Sequence, residues 1–557
     1  MKRLRSKLGP ALAAISLLSA AAGLAAPPKL TSLYPAGAAR GASIAITAAG
    51  DFSSWPAKIW CDQPGAKFEP EKDKGKLKVS IAADAEPGVA WIRLYDAEGT
   101  SALRPFLIGS LPEAEETEPN DHPEKPQGVT LPVTLNGKLG KGGDVDAFAF
   151  DLKAGQTVVA SLMANQVLGS PMDASLQICR LREPGVAGAA VERTEAVILE
   201  HNDDARGLDP QTTFTAPEAG RYLVRLFAFA SEPGATIGFS GGDTFIYRLT
   251  ITVGGFLDHP LPLALERGKG ADLELRGWNL AGEWAQVKWP GMATNRSTAL
   301  IYRPEVSGVW RLPLVEYPSL TAEPTASLAN PQQIPMPAVI SGEIAAPRET
   351  DAFRFSAKKG SSVRLRVESR GLGSPLDPVL SILDASGKTI SEADDGAQGM
   401  RDPTITFAPP TDGEFTAALR DLNHQGGIRY FYRLSLQPTT PDFSLEAGES
   451  QAVAAGKTAE MAVAVQRQNS FAEPIEIRLE GLPEGVSATL VTSPPTGEEA
   501  KGVKLKIEAK ENAAAWQGPI RIIGKSKGSM AIERQATFSA PGSFDLQTDI
   551  WLTVTAK

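Results

Sequence analysis

The sequence predicts an all-β chain built from tandem β-sandwiches, and three observations carry that prediction. Apolar and polar residues alternate with period two in many short runs, such as Asp146-Ala147-Phe148-Ala149-Phe150, whereas no stretch of useful length shows the period of an amphipathic helix. The 557 residues include 53 Gly and 43 Pro but only 7% aromatic residues, enough turn formers to separate many short strands without the low hydrophobicity of a disordered chain. The third observation is that the chain repeats itself. Asp146-Ala147-Phe148-Ala149-Phe150 returns as Asp351-Ala352-Phe353-Arg354-Phe355, and Gly169-Ser170-Pro171-Met172-Asp173 as Gly373-Ser374-Pro375-Leu376-Asp377. Asp209-Pro210 answers Asp402-Pro403, and Tyr247-Arg248-Leu249 answers Tyr432-Arg433-Leu434, all in the same order. Two copies of one domain follow.

Taken in order, residues 1–26 have the pattern of a secretory signal peptide. Lys2, Arg3, Arg5 and Lys7 precede an apolar stretch from Ala11 to Leu24, and small residues end it at Gly23-Leu24-Ala25-Ala26. No Cys follows that would take a lipid anchor, and no other stretch reaches the ~18 consecutive apolar residues of a spanning helix, so no membrane span is expected. Residues 27–112 carry alternating runs at 43–47, 57–61, 77–81 and 90–94, the mark of a small antiparallel sandwich. The first copy of the large repeat occupies 113–253, with strands expected at 146–152, 157–162, 174–179, 212–215, 221–227 and 245–253. A second small sandwich at 254–335 resembles the first, because Arg267-Gly268 followed by Leu273, Leu275 and Gly277 matches Arg40-Gly41 followed by Ile44, Ile46 and Gly50. The second large copy spans 336–437, and residues 440–557 form a last sandwich with runs at 459–465, 475–479, 503–508 and 519–524.

The densest chemistry lies at Glu115-Glu116-Thr117-Glu118-Pro119-Asn120-Asp121, followed by Gly143-Asp144-Val145-Asp146 at the head of a strand. Crowded carboxylates repel one another, and hard oxygen donors of this kind suit Ca²⁺. A solvated acidic linker between two domains accounts for the same composition, and spacing alone leaves both readings open.

The repeated motifs resemble the bacterial pre-peptidase C-terminal (PPC) domain: Glu-x-Glu-x-Asn-Asp, then Asp-x-Asp-x-Phe-x-Phe, Gly-Ser-Pro-x-Asp, Asp-Pro with Phe-x-Ala-Pro, and Tyr-Arg-Leu. The resemblance covers 113–253 and 336–437 and implies two jelly-roll-like sandwiches of a kind appended to secreted proteases. The small units at 27–112 and 254–335 look like IPT/TIG domains, and 440–557 like a bacterial Ig-like domain; the whole order is similar to exported planctomycete-type proteins. Carried over by position, the resemblance implies one Ca²⁺ in the first PPC domain, with Glu116, Glu118, Asn120, Asp121, Asp144 and Asp146 as ligands. The second copy is expected to lack it, with Asn330-Pro331-Gln332-Gln333 standing where the acidic run should be and only Glu349 and Asp351 nearby.

Catalytic signals are thin. The four histidines, His122, His201, His259 and His424, are isolated, and none sits in a His-Glu-x-x-His helix. Gly238-Phe239-Ser240-Gly241-Gly242 matches Gly-x-Ser-x-Gly formally, but a strand rather than a helix is expected after it. The doublets Asp203-Asp204 and Asp394-Asp395, each followed by Asp-Pro, are expected to form turns in which aspartate oxygens cap amides, with a second cation site as the other reading. Trp278, Trp284, Trp289 and Trp310 either fill a core or present a binding face. Cys61 and Cys179, the only cysteines, are expected as two buried thiols or a single disulfide. A net charge of −9 argues against nucleic acid as a partner. The expected protein is a noncatalytic, exported binding or adhesion protein of the periplasm, cell surface or medium. Its partner is an extracellular or cell-surface protein or polysaccharide; the competing reading is an accessory subunit that targets a separate secreted protease or glycoside hydrolase.

Overall fold

The structure, a computed structural model, describes residues 26–182, 195–232, 238–291, 297–396, 401–540 and 546–556. The signal-peptide reading at 1–26 and the Asn295-Arg296 half of an Asn-x-Ser sequon therefore fall almost wholly outside the described residues. The described chain is a series of β-sandwiches, and no helix in it is long and apolar enough to cross a membrane.

In the N-terminal sandwich, Lys29–Tyr34, Ser43–Asp51, Lys76–Ile81 and Ala66–Pro70 lie side by side in that order. They face a sheet ordered Gly37–Ala39, Arg104–Gly109, Gly88–Asp96 and Lys58–Cys61. Leu77, Val79, Ile92 and Phe106, all fully buried, close its core.

The next sandwich has two five-stranded sheets. One runs Glu113–Glu115, Val133–Lys138, Ile246–Thr252, Thr157–Met163, Gln211–Thr215; the other runs Gln127–Gly128, Asp146–Leu152, Gly220–Ala230, Met172–Arg182, Glu195–Asn202. The alternation that marks Asp146–Leu152 as a strand also sorts it: Phe148 and Phe150 enter the core with Leu135, Val158, Leu176 and Leu249. Farther along, Ser319–Thr321, Ala338–Glu343, Phe431–Pro438, Val363–Glu368, Thr404–Phe407 and Gln332–Gln333, Thr350–Ala357, Gly413–Asp421, Pro378–Leu383, Thr389–Ala393 reproduce both strand orders. The duplication is thus a duplication of topology, down to the two short parallel edge strands at the head of each copy.

Register between the copies corrects one expectation. Gln127 clamps the turn after the first edge strand, accepting from Thr117 N–H at 2.8 Å and donating to Glu115 O at 2.9 Å; Gln332 does the same with Glu323 N–H and Thr321 O. The counterpart of the acidic run is therefore the segment from Ala322 to Ser327, with buried Ala326 in the place of buried Asn120. Asn330-Pro331-Gln332-Gln333 instead matches the later edge strand, Gln332 standing in the place of Gln127. The corrected counterpart keeps a single carboxylate, Glu323.

The modules pack on one another rather than hanging as beads. Ala36 and Leu107 of the first meet Leu168 and Ile246 of the second, while Leu261 and Leu263 of the third meet Phe431 of the fourth. Trp91 and Leu103 of the N-terminal sandwich join the core of the C-terminal one, beside Leu552 and Val554. There the Arg93 guanidinium, 1% exposed, lies 3.3 Å from Glu449 and faces the Trp551 ring at 5.0 Å. First and last modules are in contact, so the chain closes on itself.

Candidate metal centre

Three structural devices bring the acidic residues together. The edge strand Glu113–Glu115 pairs in parallel with Val133–Lys138, and Glu116 N–H continues the ladder to Asn136 O at 2.9 Å. The Gln127 clamp then turns the chain so that Asn120, fully buried, plugs the sandwich edge. From the other side the tight loop through Gly143, whose φ of 86° favours glycine, delivers Asp144 and Asp146 to one face of the strand, two residues apart. Because Glu113–Glu115 is a paired strand and Asn120 is buried, the run is not a solvated linker.

The resulting pocket is acidic on every wall. Carboxylate oxygens of Glu116, Glu118 and Asp146 lie within 4.8 Å of one another, and so do those of Glu118, Asp121 and Asp144; Glu118 belongs to both groups. That span is about twice a Ca–O distance of ~2.4 Å, so one ion placed among such oxygens reaches each. Asp144 and Asp146 are 1% and 0% exposed. One carboxylate oxygen on each of Asp121, Asp144 and Asp146, and both amide atoms of Asn120, have no hydrogen-bond partner. Buried polar atoms without partners are costly, and a cation would satisfy the unpartnered carboxylate oxygens of Asp121, Asp144 and Asp146. Their donor set, hard oxygen from carboxylates and one amide, fits Ca²⁺.

The remaining oxygens are tied to the scaffold. Glu116 accepts from Lys138 N–H at 2.7 Å, Glu118 from Asn120 N–H at 3.0 Å, and Asp144 from Gly140 N–H. Asp146 accepts from the Tyr247 hydroxyl, and Tyr247 itself packs over Gly137, where any Cβ would collide with the phenol. The nearest cation, Lys141 Nζ, stands 3.6 Å from Asp121 at the solvent-facing rim.

Electrostatics reflect the crowding. Burial, then Glu116 beside it, pushes the Asp146 carboxyl up to about 9. Burial, with Glu118 and Asp144 adding repulsion, raises Glu116 to about 7; burial and the hydrogen bond to Asp121 raise Asp144 to about 6. Asp121 is held below its ordinary value, first by that hydrogen bond and then by Lys141 in spite of some burial. Glu116, Asp144 and Asp146 thus resist ionisation, as buried carboxylates crowded by like charges do.

Five of the six sequence-derived residues, Glu116, Glu118, Asp121, Asp144 and Asp146, bring carboxylate oxygens together in two overlapping groups, and Asn120 is buried between Glu118 and Asp121 in the chain with its amide unpartnered. Two residues went unrecognised. Tyr247 carried a signal, since Tyr-Arg-Leu recurs as Tyr432-Arg433-Leu434, and Tyr432 donates to Asp351 in the same way. Tyr34 carried none: it comes from the N-terminal module, and its hydroxyl reaches Asn136 O at 3.3 Å. Burial, then Glu116, Glu115 and Asp146, raise the Tyr34 hydroxyl well above its usual range.

In the second copy Asp351 remains, pushed up to about 7 by burial and, against the bond from Tyr432, by Glu349. Glu349 stands in the place of Asp144, and the other four positions hold Ala322, Pro324, Ala326 and Ser327, so only two of the carboxylates remain.

Elsewhere the Asp-Pro aspartates act as caps. Asp209 accepts from the N–H groups of Ala164, Asn165 and Gln166 at 3.1, 2.7 and 3.1 Å, and Asp402 from Ser369, Arg370 and Gly371 at 3.1, 2.9 and 3.0 Å. The capping role thus belongs to the Asp-Pro residue and not to the doublet before it. Ser240 lies on a loop that leads into the strand Ile246–Thr252, its hydroxyl on Gly238 O at 3.4 Å, which is not a nucleophile elbow. Cys61 and Cys179 are both free, the first half-buried and the second buried. Trp278, Trp289 and Trp310 are half-buried, and Trp284 is the exposed one of the four at 37%.

The fold and this cluster define a class: a multi-sandwich β protein with an acidic loop at one sandwich edge. Comparison with known proteins is consistent with it. The model of the family described as the bacterial pre-peptidase C-terminal domain matches residues 349–421, within the second large sandwich. A probable subtilase-type serine protease of Deinococcus radiodurans is 24% identical over 341 residues, 58% of this chain. The chain spans only 40% of that relative's length. Among solved structures, the M60 catalytic domain with the CBM51-1 and CBM51-2 domains from Clostridium perfringens ZmpB is aligned over 76% of this chain and 56% of that one, at 8% identity. Its TM-score of 0.13 is too low to carry an argument.

Proposed function

We propose that the chain is a noncatalytic, exported binding or adhesion protein, and that one Ca²⁺ ion completes its first large sandwich. Glu116, Glu118, Asn120, Asp121, Asp144 and Asp146 would hold the ion. The observation that supports this most is the set of unpartnered oxygens on three almost fully buried side chains, Asn120, Asp144 and Asp146, beside two groups of carboxylate oxygens that share Glu118. The identical topology of the two large sandwiches supports reading the first as a second PPC domain, although the family model matches only residues 349–421.

Mechanistically the ion's task is local. The interface between modules one and two is already held by Ala36, Leu107, Leu168 and Ile246, and within module two the ion pair of Arg248 with Glu113 at 2.7 Å ties the first edge strand to Ile246–Thr252. A bound Ca²⁺ would supply the charge that lets five carboxylates ionise together. Lys138 N–H, Gly140 N–H and the Tyr247 hydroxyl hold Glu116, Asp144 and Asp146 in place by hydrogen bonds. The ion would thereby stiffen the Glu116–Asp121 loop.

A second reading, an accessory subunit that brings a separate secreted hydrolase to a polymer, draws on the partial similarity to a protease-named relative. One experiment separates the readings. Purified protein is offered gelatin, casein, cellulose, chitin and a glycan array, with and without chelator, and each is scored for retention and for turnover. Retention without turnover supports a binding protein, and capture of a hydrolase from the native culture medium favours the accessory reading. Turnover of any of these polymers by the purified chain overturns both.

A further inference from the structure

A second buried ionic cluster lies where three modules meet, far in sequence from the acidic pocket, and it depends on a proton. Its centre is Asp258-His259 on the strand Phe256–Leu261, both 0% exposed. Asp258 Oδ1 takes Arg206 and Gln211 from the first large sandwich at 3.1 and 3.0 Å, and Arg429 from the second at 3.1 Å. Trp310 Nε1 and Arg206 donate to its backbone oxygen at 2.7 and 2.8 Å. The His259 ring stacks on Phe431 at 4.0 Å. Its Nδ1 lies 3.0 Å from Asp258 Oδ2, and its Nε2 lies 2.9 Å from Glu343 Oε1 of the second large sandwich. Arg276, across from His259 on the next strand, reaches Glu343 Oε2 at 3.5 Å and Glu274 at 3.0 Å.

Hydrogen-bond direction sets the requirement. A neutral imidazole donates from one nitrogen and accepts at the other, so between two carboxylates it would aim a lone pair at an oxygen less than about 3 Å away. Asp258 stays ionised: burial alone would raise it, but Arg206, the ring and Arg429 hold it well below the usual carboxylate range. Charge count does not settle the matter, because Arg206, Arg276 and Arg429 already match Asp258, Glu274 and Glu343. Both contacts of the ring therefore persist only when one additional proton resides there, as an imidazolium or as a Glu343 carboxylic acid donating to Nε2. We propose that a single proton held among Asp258, His259 and Glu343 latches the third module onto the second large sandwich, and that its loss as pH rises releases that contact. The stabilisation from the latch declines as pH rises, and once the proton is gone the contact of Nε2 with Glu343 turns repulsive.

The test uses the full chain in excess CaCl₂, which keeps the acidic pocket out of the measurement. Histidine is labelled with ¹⁵N, and the four rings are followed from pH 5 to 9 while peptide-level hydrogen exchange is recorded on the same samples. The expected result is one ring, assigned by its absence in His259→Gln, that loses a proton signal in step with a loss of protection. After correction for intrinsic rate, that loss is at least tenfold in Phe256–Leu261 and Ala338–Glu343. Glu343→Gln, whose amide donates to a neutral ring, is expected to keep protection constant over the same range; it also assigns the ring if His259→Gln does not fold. Protection in the wild type that ignores the titration of this ring, or a Glu343→Gln profile identical to wild type, overturns the latch.

Discussion

Calcium binding should expel protons, and the number follows from the pocket. With Asp146 pushed up to about 9, Glu116 to about 7 and Asp144 to about 6, the metal-free pocket at pH 7 keeps nearly one proton on Asp146, half on Glu116 and a tenth on Asp144. All must leave when the carboxylates turn to the ion, so roughly 1.6 protons are released per Ca²⁺ at pH 7 and roughly 2.4 at pH 6. Because the proton count is the slope of log affinity against pH, the affinity should rise roughly a hundredfold between pH 6 and pH 7 and more slowly above. Calorimetry at fixed pH in two buffers of different ionisation heat reads the count directly, and the isotherms give the affinity. A count near zero at pH 7, or an affinity flat from pH 6 to 8, would refute the reasoning, because it would mean that the carboxylates were already ionised without a cation.

The same shifts fix the sign of a second prediction. Carboxyls raised above their unfolded values stabilise the fold fully below about pH 4 and lose that contribution as pH rises through their folded values, so chelated protein should melt at progressively lower temperature from pH 5 to pH 9. Excess CaCl₂ should flatten or reverse that slope in a scanning melt. Asp209→Ala strips three amides of their acceptor at a site 3% exposed and should cost about 3 kcal/mol in urea unfolding, with Asp209→Asn recovering part of it. Glu449→Ala leaves the Arg93 guanidinium buried between Trp60 and Trp551 without a carboxylate. Since Glu449 is itself partly exposed, the loss should be about 2 kcal/mol, seen as faster proteolysis at the contact of the first and last modules.

Much of this was written in the sequence, for identifiable reasons. Asp146–Leu152 was legible because its alternation separates Phe148 and Phe150 from Ala147 and Ala149, and the duplication was legible because each copy reuses the same aspartates and tyrosine. The six residues followed from the resemblance of two short segments to the PPC motifs, since their spacing alone left a solvated linker open. The edge strand Glu113–Glu115 was hidden, since an acidic composition reads as solvated chain and parallel pairing depends on a partner some twenty residues away. Module contacts were hidden more deeply. Alternation shows that Trp91 and Leu103 are apolar, but not that Leu552 and Val554, more than four hundred residues later, cover them. His259 looked isolated for the same reason, because Glu343 reaches it, and Arg206 reaches its neighbour Asp258, only through the packing of separate sandwiches.

The most direct measurement is a calorimetric titration of CaCl₂ into fully chelated protein at pH 7.5, run beside Asp144→Asn. Wild type is predicted to bind one equivalent with a matching rise in melting temperature, and Asp144→Asn to lose most of that affinity while keeping its fold in the absence of the ion. No heat and no shift in melting temperature for wild type, or two equivalent sites shared between the copies, would contradict the assignment of one ion to the pocket formed by Glu116, Glu118, Asn120, Asp121, Asp144 and Asp146.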